Sequence, residues 1–193
     1  ADTSSKPALY ISGKDNFREK VATILPYKGN RDPLHKPKYY KEIREYLKDA
    51  YGAQVVDGQE ADDEIGIAQW KAGKETCIVS IDKDLDMIPG YHYNWVRDHF
   101  YYVSLDEANY NFYHQLLVGD RTDNIPGIDG IGPVKASRAL GDIGKDLEYY
   151  ARVVREEYKR QYESKWEDAL QEVAQLIWIR REPGKGTDLP LLK

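Results

Sequence analysis

The chain has 193 residues, 41% hydrophobic and 32% charged, with a formal net charge of −5. That length supports one full core, or one core with a small appendage. No stretch approaches the ~20 apolar residues of a membrane span, the first seven residues carry no apolar signal-peptide segment, and the single cysteine, Cys77, excludes a disulfide framework or a cysteine-ligated zinc site within one chain.

In chain order, residues 8–12 form a short apolar run ending at Gly13, the pattern of a buried strand. A helix is expected from Asp15 or Asn16 to near Pro26. Residues 26–33 read as a loop from their prolines and glycine. Between 37 and 51, Tyr39, Ile43, Tyr46, Leu47 and Ala50 recur at helical spacing, closed by Gly52. Residues 53–56 are a strand, 62–70 a helix ended by Gly73, and 76–81 a clear strand holding Cys77 as a buried small hydrophobe. Further strands are expected at 91–96 and 100–103. Ser104-Leu-Asp-Glu107 is a capping box that starts a helix to about Val118. The remainder from Gly127 reads as helical, with a flexible tail from Arg181. Alternating strands and helices predict an α/β protein, its mostly parallel sheet flanked by helices, with sites at the carboxyl ends of the strands.

Seven carboxylates gather in three clusters at element boundaries: Glu60, Asp62 and Asp63; Asp82 and Asp84; Asp120 and Asp123. Any one cluster could be helix or turn capping. Three together predict a site for divalent cations with oxygen ligands, because converging like charges repel unless a cation offsets them. Asp86 reads as a turn residue. His35, His92, His99 and His114 show no metal-binding spacing. Setting the seven acids aside turns the net charge to +2, and cations concentrate between Lys20 and Lys41 and at Lys135 and Arg138. The loop residues Tyr27, Lys28 and Arg31 read as a phosphate and base clamp. Gly130-Ile131-Gly132 opens a helix whose free N–H groups suit a phosphate, with Lys135 and Arg138 one turn on.

Glu60-Ala-Asp-Asp63, Ser80-Ile-Asp-Lys-Asp84, Gly119-Asp120-Arg-Thr-Asp123-Asn-Ile-Pro-Gly127 and Gly130-Ile-Gly132, with Tyr27-Lys28-Gly-Asn-Arg31, resemble the motifs of the 5′ nuclease family over about residues 8–140. This family includes the 5′–3′ exonuclease domain of bacterial DNA polymerase I and phage flap endonucleases, and the chain looks closest to phage members. The resemblance implies a nuclease core over 1–118 with an arch-like segment near 26–41, a helix–three-turn–helix DNA-binding region over 119–180, and a tail. It implies hydrolysis of DNA phosphodiesters at 5′ ends or flaps with two Mg²⁺ or Mn²⁺ ions. Glu60, Asp62, Asp63 and Asp82 would serve one metal, and Asp84, Asp120 and Asp123 the other. Lys28 and Arg31 would contact the reacting phosphate, Tyr27 would stack on a base, and residues 130–132 would hold a backbone phosphate through a potassium ion. A cytoplasmic setting follows, in a bacterial host if the chain is phage-encoded. One departure stands out: the family's first strand, with its metal-binding Asp, has no counterpart here. A missing N-terminal segment, a complementing polypeptide, or a diverged DNA-binding module without catalysis are the expectations that follow. A related metal-dependent ribonuclease is a further reading, against which the Gly-Ile-Gly segment argues.

Overall fold

The computed structural model describes residues 7–32 and 36–191; Pro33 and His35, which the sequence reading placed in a loop and on the surface, lie outside the described residues. The protein is a mixed α/β structure in which helices flank two small sheets. Strands β1 (Tyr10–Ser12) and β2 (Gln54–Val56) pair in parallel. Strand β3 (Cys77–Val79) pairs in parallel with β4 (Gly90–Asn94), which forms an antiparallel hairpin with β5 (His99–Val103). The expected single, mostly parallel sheet is therefore two sheets with one antiparallel pairing. Only a few residues separate β4 from β5, too short a connection for a parallel crossover.

Helix α1 (Phe17–Val21) begins at Asn16, whose side chain accepts from the Arg18 N–H. It is shorter than expected. The Glu172 carboxylate takes the backbone N–H groups of Thr23 and Ile24, both at 2.8 Å, and so leads the chain out of the helix. Helix α2 (Tyr40–Tyr51) ends at Gly52, at a φ of 67° that glycine adopts without a Cβ penalty. Helix α3 (Ala61–Ala72) follows β2, and α4 (Leu105–Val118) starts at the Ser104–Glu107 capping box.

The main core lies between α4, α6 (Leu147–Tyr162) and α7 (Trp166–Ile177), with the short α5 (Pro133–Leu140) across one end. Phe112, Tyr113, Leu116, Leu117, Tyr150, Val154, Tyr158, Leu170 and Val173 are buried there. The buried tyrosines keep their hydroxyls satisfied: Tyr158 donates to the Leu116 carbonyl at 2.9 Å and Tyr150 to that of Asp142 at 2.7 Å. Each such side chain, fully buried, stabilises by about 1.5–3 kcal/mol before its entropy cost.

Two expectations fail for packing reasons. Cys77 is exposed, because in β3 it is Ile78 that points inward while its neighbours face out. The tail from Arg181 is anchored at both ends. Arg181 donates to the Asn109 side chain at 3.1 Å and to the Met87 carbonyl at 2.8 Å, and Leu191 is buried in the helical core. Among the described residues no helix is long and apolar enough to cross a membrane.

Candidate metal and nucleic-acid site

The acidic clusters enter one region from separate elements. Glu60 and Asp62 lie at the start of α3, Asp82 and Asp84 follow β3, and Asp120 and Asp123 follow α4. Asp84 and Asp120 are bridged by one amide: Gln115 Nε2 lies 3.2 Å from Asp84 Oδ1 and 3.5 Å from Asp120 Oδ2. Burial, then the fields of Asp82 and Asp120, pushes the Asp84 carboxyl up to about 7. Burial, then the fields of Glu60 and Asp82, raises Asp62 to about 6. Asp82 thus acts on both, and the set carries more negative charge than its surroundings offset.

Cations fill the other side of the site. The Lys28 ammonium pairs with Glu60 and lies 3.5 Å from Asp123, and the Arg31 guanidinium pairs with Asp123. The Tyr27 hydroxyl sits 2.8 Å from both Glu60 Oε2 and Asp123 Oδ2. Burial, followed by these two carboxylates, holds its pKa well above the ordinary phenol value. The loop is tied down further by the Lys28 N–H donating to the Asp123 carbonyl at 2.8 Å. The Tyr27 ring packs against the helical core and its hydroxyl braces two acids.

Asp63 departs furthest from its expected part as a metal ligand. It is fully buried, and both its oxygens are taken. Arg18 Nη1 donates to Oδ2 at 2.5 Å and Nη2 to Oδ1 at 2.9 Å; the Glu60 and Arg180 N–H groups add bonds at 3.1 Å each. Two donors on each oxygen leave no lone pair open. Arg18 was missed in the sequence because nothing in the short, mostly charged helix Phe17-Arg-Glu-Lys-Val21 marks one cation as buried.

The donor chemistry of Asp62, Asp82, Asp84 and Asp120 suits a hard divalent cation: oxygen ligands only, with unmet negative charge. Among the described residues, no three His, Cys, Asp or Glu side chains stand close enough together to hold a metal ion in this conformation.

The glycine-rich segment lies beyond the acids. Gly119 and Gly127 cross in contact, where a Cβ on Gly127 would strike the Val118 carbonyl. Gly130 takes a φ of 74°, Ile131 closes a turn onto the Ile128 carbonyl at 3.0 Å, and Gly132 caps α5. Lys135 donates back to the Gly130 carbonyl at 2.8 Å. Gly130, Ile131, Lys135 and Arg138 line an open cavity of about 410 Å³, to which α6 adds Glu157 and Arg160. Arg160 escaped the sequence reading because it lies about 30 residues from the motif.

The chain is 31% identical over 168 residues to flap endonuclease Xni of Pectobacterium atrosepticum, covering 76% of this chain. It is 30% identical over 140 residues to the 5′-3′ exonuclease of Buchnera aphidicola, covering 64% of this chain. The chain belongs to the 5′ nuclease family. It spans 64% and 48% of the lengths of these two relatives. No family model matches the chain. The fold is that of the D15 protein of phage T5 co-crystallised with metal ions, at a TM-score of 0.58 and 20% identity over 88% of this chain and 75% of that one. A second structure of that protein, a complex with DNA and metal ions, aligns at a TM-score of 0.53 and 18% identity, covering 88% of this chain and 84% of that one. Within this member of the family, Asp62, Asp82, Asp84 and Asp120 form the open acidic centre, and Glu60 and Asp123 anchor the cationic loop.

Proposed function

We propose that this chain carries the active centre of a divalent-metal-dependent 5′–3′ exonuclease or flap endonuclease that hydrolyses DNA in the cytoplasm. The observation that carries this reading is the meeting of acids from three elements, Asp84 and Asp120 bridged by Gln115 and Glu60 and Asp123 joined by Lys28, beside a cationic loop. Asp62, Asp82, Asp84 and Asp120 would hold the metal, as a two-ion site of Mg²⁺ or Mn²⁺ in the fullest form of the proposal. Bound there, the metal supplies a nucleophilic water at neutral pH and Lewis-acid stabilisation of phosphate charge.

The chain's own residues do the rest. Lys28 and Arg31 stand at the edge of the acids, where their charge would meet a phosphate drawn into the site. Asp123 and Glu60 hold these cations in place, and Gln115 orients Asp84 and Asp120 toward each other. The Gly130–Gly132 turn, Lys135, Arg138 and Arg160 would hold the DNA backbone without reading bases, with a potassium ion at the turn.

The test is cleavage of a 5′-flap DNA in Mn²⁺ by the wild type and Asp84→Asn. Metal-dependent cleavage lost in the variant supports the reading; absent or equal cleavage in both overturns it for this chain. A second reading, a structure-specific DNA-binding module completed by another segment or polypeptide, draws on Lys28 and Arg31 being paired with Glu60 and Asp123, two of the seven clustered acids. It predicts salt-sensitive duplex binding without cleavage.

A further inference from the structure

A second cavity, of about 260 Å³, adjoins the acidic centre at Asp82. Its walls are the Lys83–Met87 turn and the β4–β5 hairpin, and its lining includes Asp82, Lys83, Asn94, Arg97, His99 and Tyr101. We infer that this cavity binds one nucleotide of a single strand next to the acidic centre, its phosphate between Lys83 and Arg97 and its base on His99. The inference rests on the nuclease reading only for its strand; the cavity's chemistry stands by itself.

The stacking platform is preformed. His92, Tyr101 and His99 make a ladder of near-parallel rings, with centroids 5.3 Å and 5.0 Å apart and interplanar angles of 21° and 15°. Its inner end is fixed, since His92 is buried with Nε2 2.8 Å from the Ile88 carbonyl and Tyr101 donates to Asp86 at 2.7 Å. Its outer end is His99, which is exposed. A ring held in place but open on one face is what a nucleobase stacks on, and every base has such a face. Rigid rings also limit the entropy lost on binding.

The cations are poised in the same way. Lys83 and Arg97 have no ion-pair partner among the described residues. Lys83 stands between Asp82 and Asp84 in the chain and its charge acts on Asp84 without an ion-pair contact, while Asp86 accepts from Tyr101 and Asp98 from the Tyr93 hydroxyl at 2.8 Å. The Asn94 side chain accepts from the Arg97 N–H at 3.1 Å and from that of Val96 at 3.2 Å, which sets the hairpin tip and places Arg97 at the rim. Two acids share the cavity wall, Asp86, which accepts from Tyr101, and Asp82, which also belongs to the acidic centre, so a phosphate seated between Lys83 and Arg97 lies next to the reacting region. The volume falls just under the roughly 300 Å³ at which small-ligand pockets begin, which suits one nucleotide and excludes a duplex.

The experiment is binding of a fluorescent oligothymidylate, in EDTA so that nothing is cut, followed by anisotropy across a salt series. Lys83→Ala and Arg97→Ala should each weaken binding about 3–10-fold and lower the salt slope by ~0.7, the value for one single-strand phosphate contact. His99→Ala should weaken binding about fivefold or more with the slope unchanged, as loss of one stacked base does. Arg152→Ala, on the exposed face of α6, should change neither. Unchanged affinity in all three cavity variants overturns the inference, as does a wild type that binds no oligothymidylate. If such a wild type still cleaves 5′ flaps, the nuclease reading survives alone. Binding that depends on the three residues in a protein that cleaves nothing supports the cavity and sinks the nuclease reading.

Discussion

Lys28 holds Asp123 with both its backbone and its side chain. Its N–H donates to the Asp123 carbonyl at 2.8 Å and its ammonium lies 3.5 Å from the same residue's carboxylate, while also pairing with Glu60. Lys28 does this at a φ of 54°, a region that non-glycine residues visit rarely and at a cost of order 1–3 kcal/mol. Carboxylates 63 positions apart in the chain thereby share one cation and one tyrosine hydroxyl. We predict that Lys28→Met, which removes the charge and keeps the stem, lowers flap cleavage by about 100-fold, in the range of lost electrostatic stabilisation. The loop should keep its backbone bond, so the melting temperature should move by only a few degrees. Cleavage within twofold of wild type would show that Lys28 is a structural tie alone.

Asp84 makes the site sensitive to pH. Its carboxyl sits at about 7 in the fold against 3.8 as the reference, so folding favours its neutral form. That contribution is complete below pH 3.8 and is lost as pH rises through 7, because ionisation then meets Asp82 and Asp120. Asp84→Asn should therefore stabilise the metal-free protein above pH 7, by about 1–2 kcal/mol after solvent screening, and make little difference near pH 4. Urea titrations at both pH values decide it; equal stabilisation at the two would remove the electrostatic cause.

The Arg18–Asp63 pair makes a different prediction. Both partners are almost wholly buried, so Asp63→Asn should leave the guanidinium with only Glu60, at 3.7 Å, as a charged partner and cost about 3–5 kcal/mol. The double change Arg18→Met with Asp63→Leu should recover most of that loss. A ligand role for Asp63 predicts instead that Asp63→Asn weakens metal binding without unfolding the protein, and titration of the folded variant with Mn²⁺ separates the two.

Gly127 is required by a close approach. A methyl there meets the Val118 carbonyl and the Gly119 N–H, all of it backbone that cannot swing aside. Gly127→Ala should cost about 2 kcal/mol or more, the scale of backbone strain at a site that cannot relax. Gly130→Ala meets no neighbour and should cost only about 1 kcal/mol, from its positive φ. Denaturant midpoints in the reverse order would contradict this.

Duplex binding tests the glycine turn. Lys135→Ala, Arg138→Ala and Arg160→Ala should each weaken duplex DNA binding about equally across sequences and lower the salt slope by about one. Sequence-dependent losses would mean that these residues read bases.

Much of the site could be read before the fold was known. The boundaries of α3 and α4, the hairpin strands and the glycine turn follow from local signals: a capping box, alternation, and glycines where the backbone must turn left. The acids stood out because like charges clustered at element ends have few uses. Burial did not follow from those local patterns. Cys77, in an apolar run, faces outward, and Arg181, in a polar tail, is buried against Asn109 and Met87.

The sequence by itself determined the family, the element types and the chemical character of the centre, because these depend on residue type and on spacing along the chain. Tertiary structure alone decided which acids stay open. Asp62 and Asp63 are adjacent, yet one helical step turns the second inward onto Arg18 and leaves the first among Glu60 and Asp82 with its charge unmet. That outcome depends on where α1 and the Trp178–Arg180 segment place their donors, over a hundred residues away in the second case, and no local pattern encodes it.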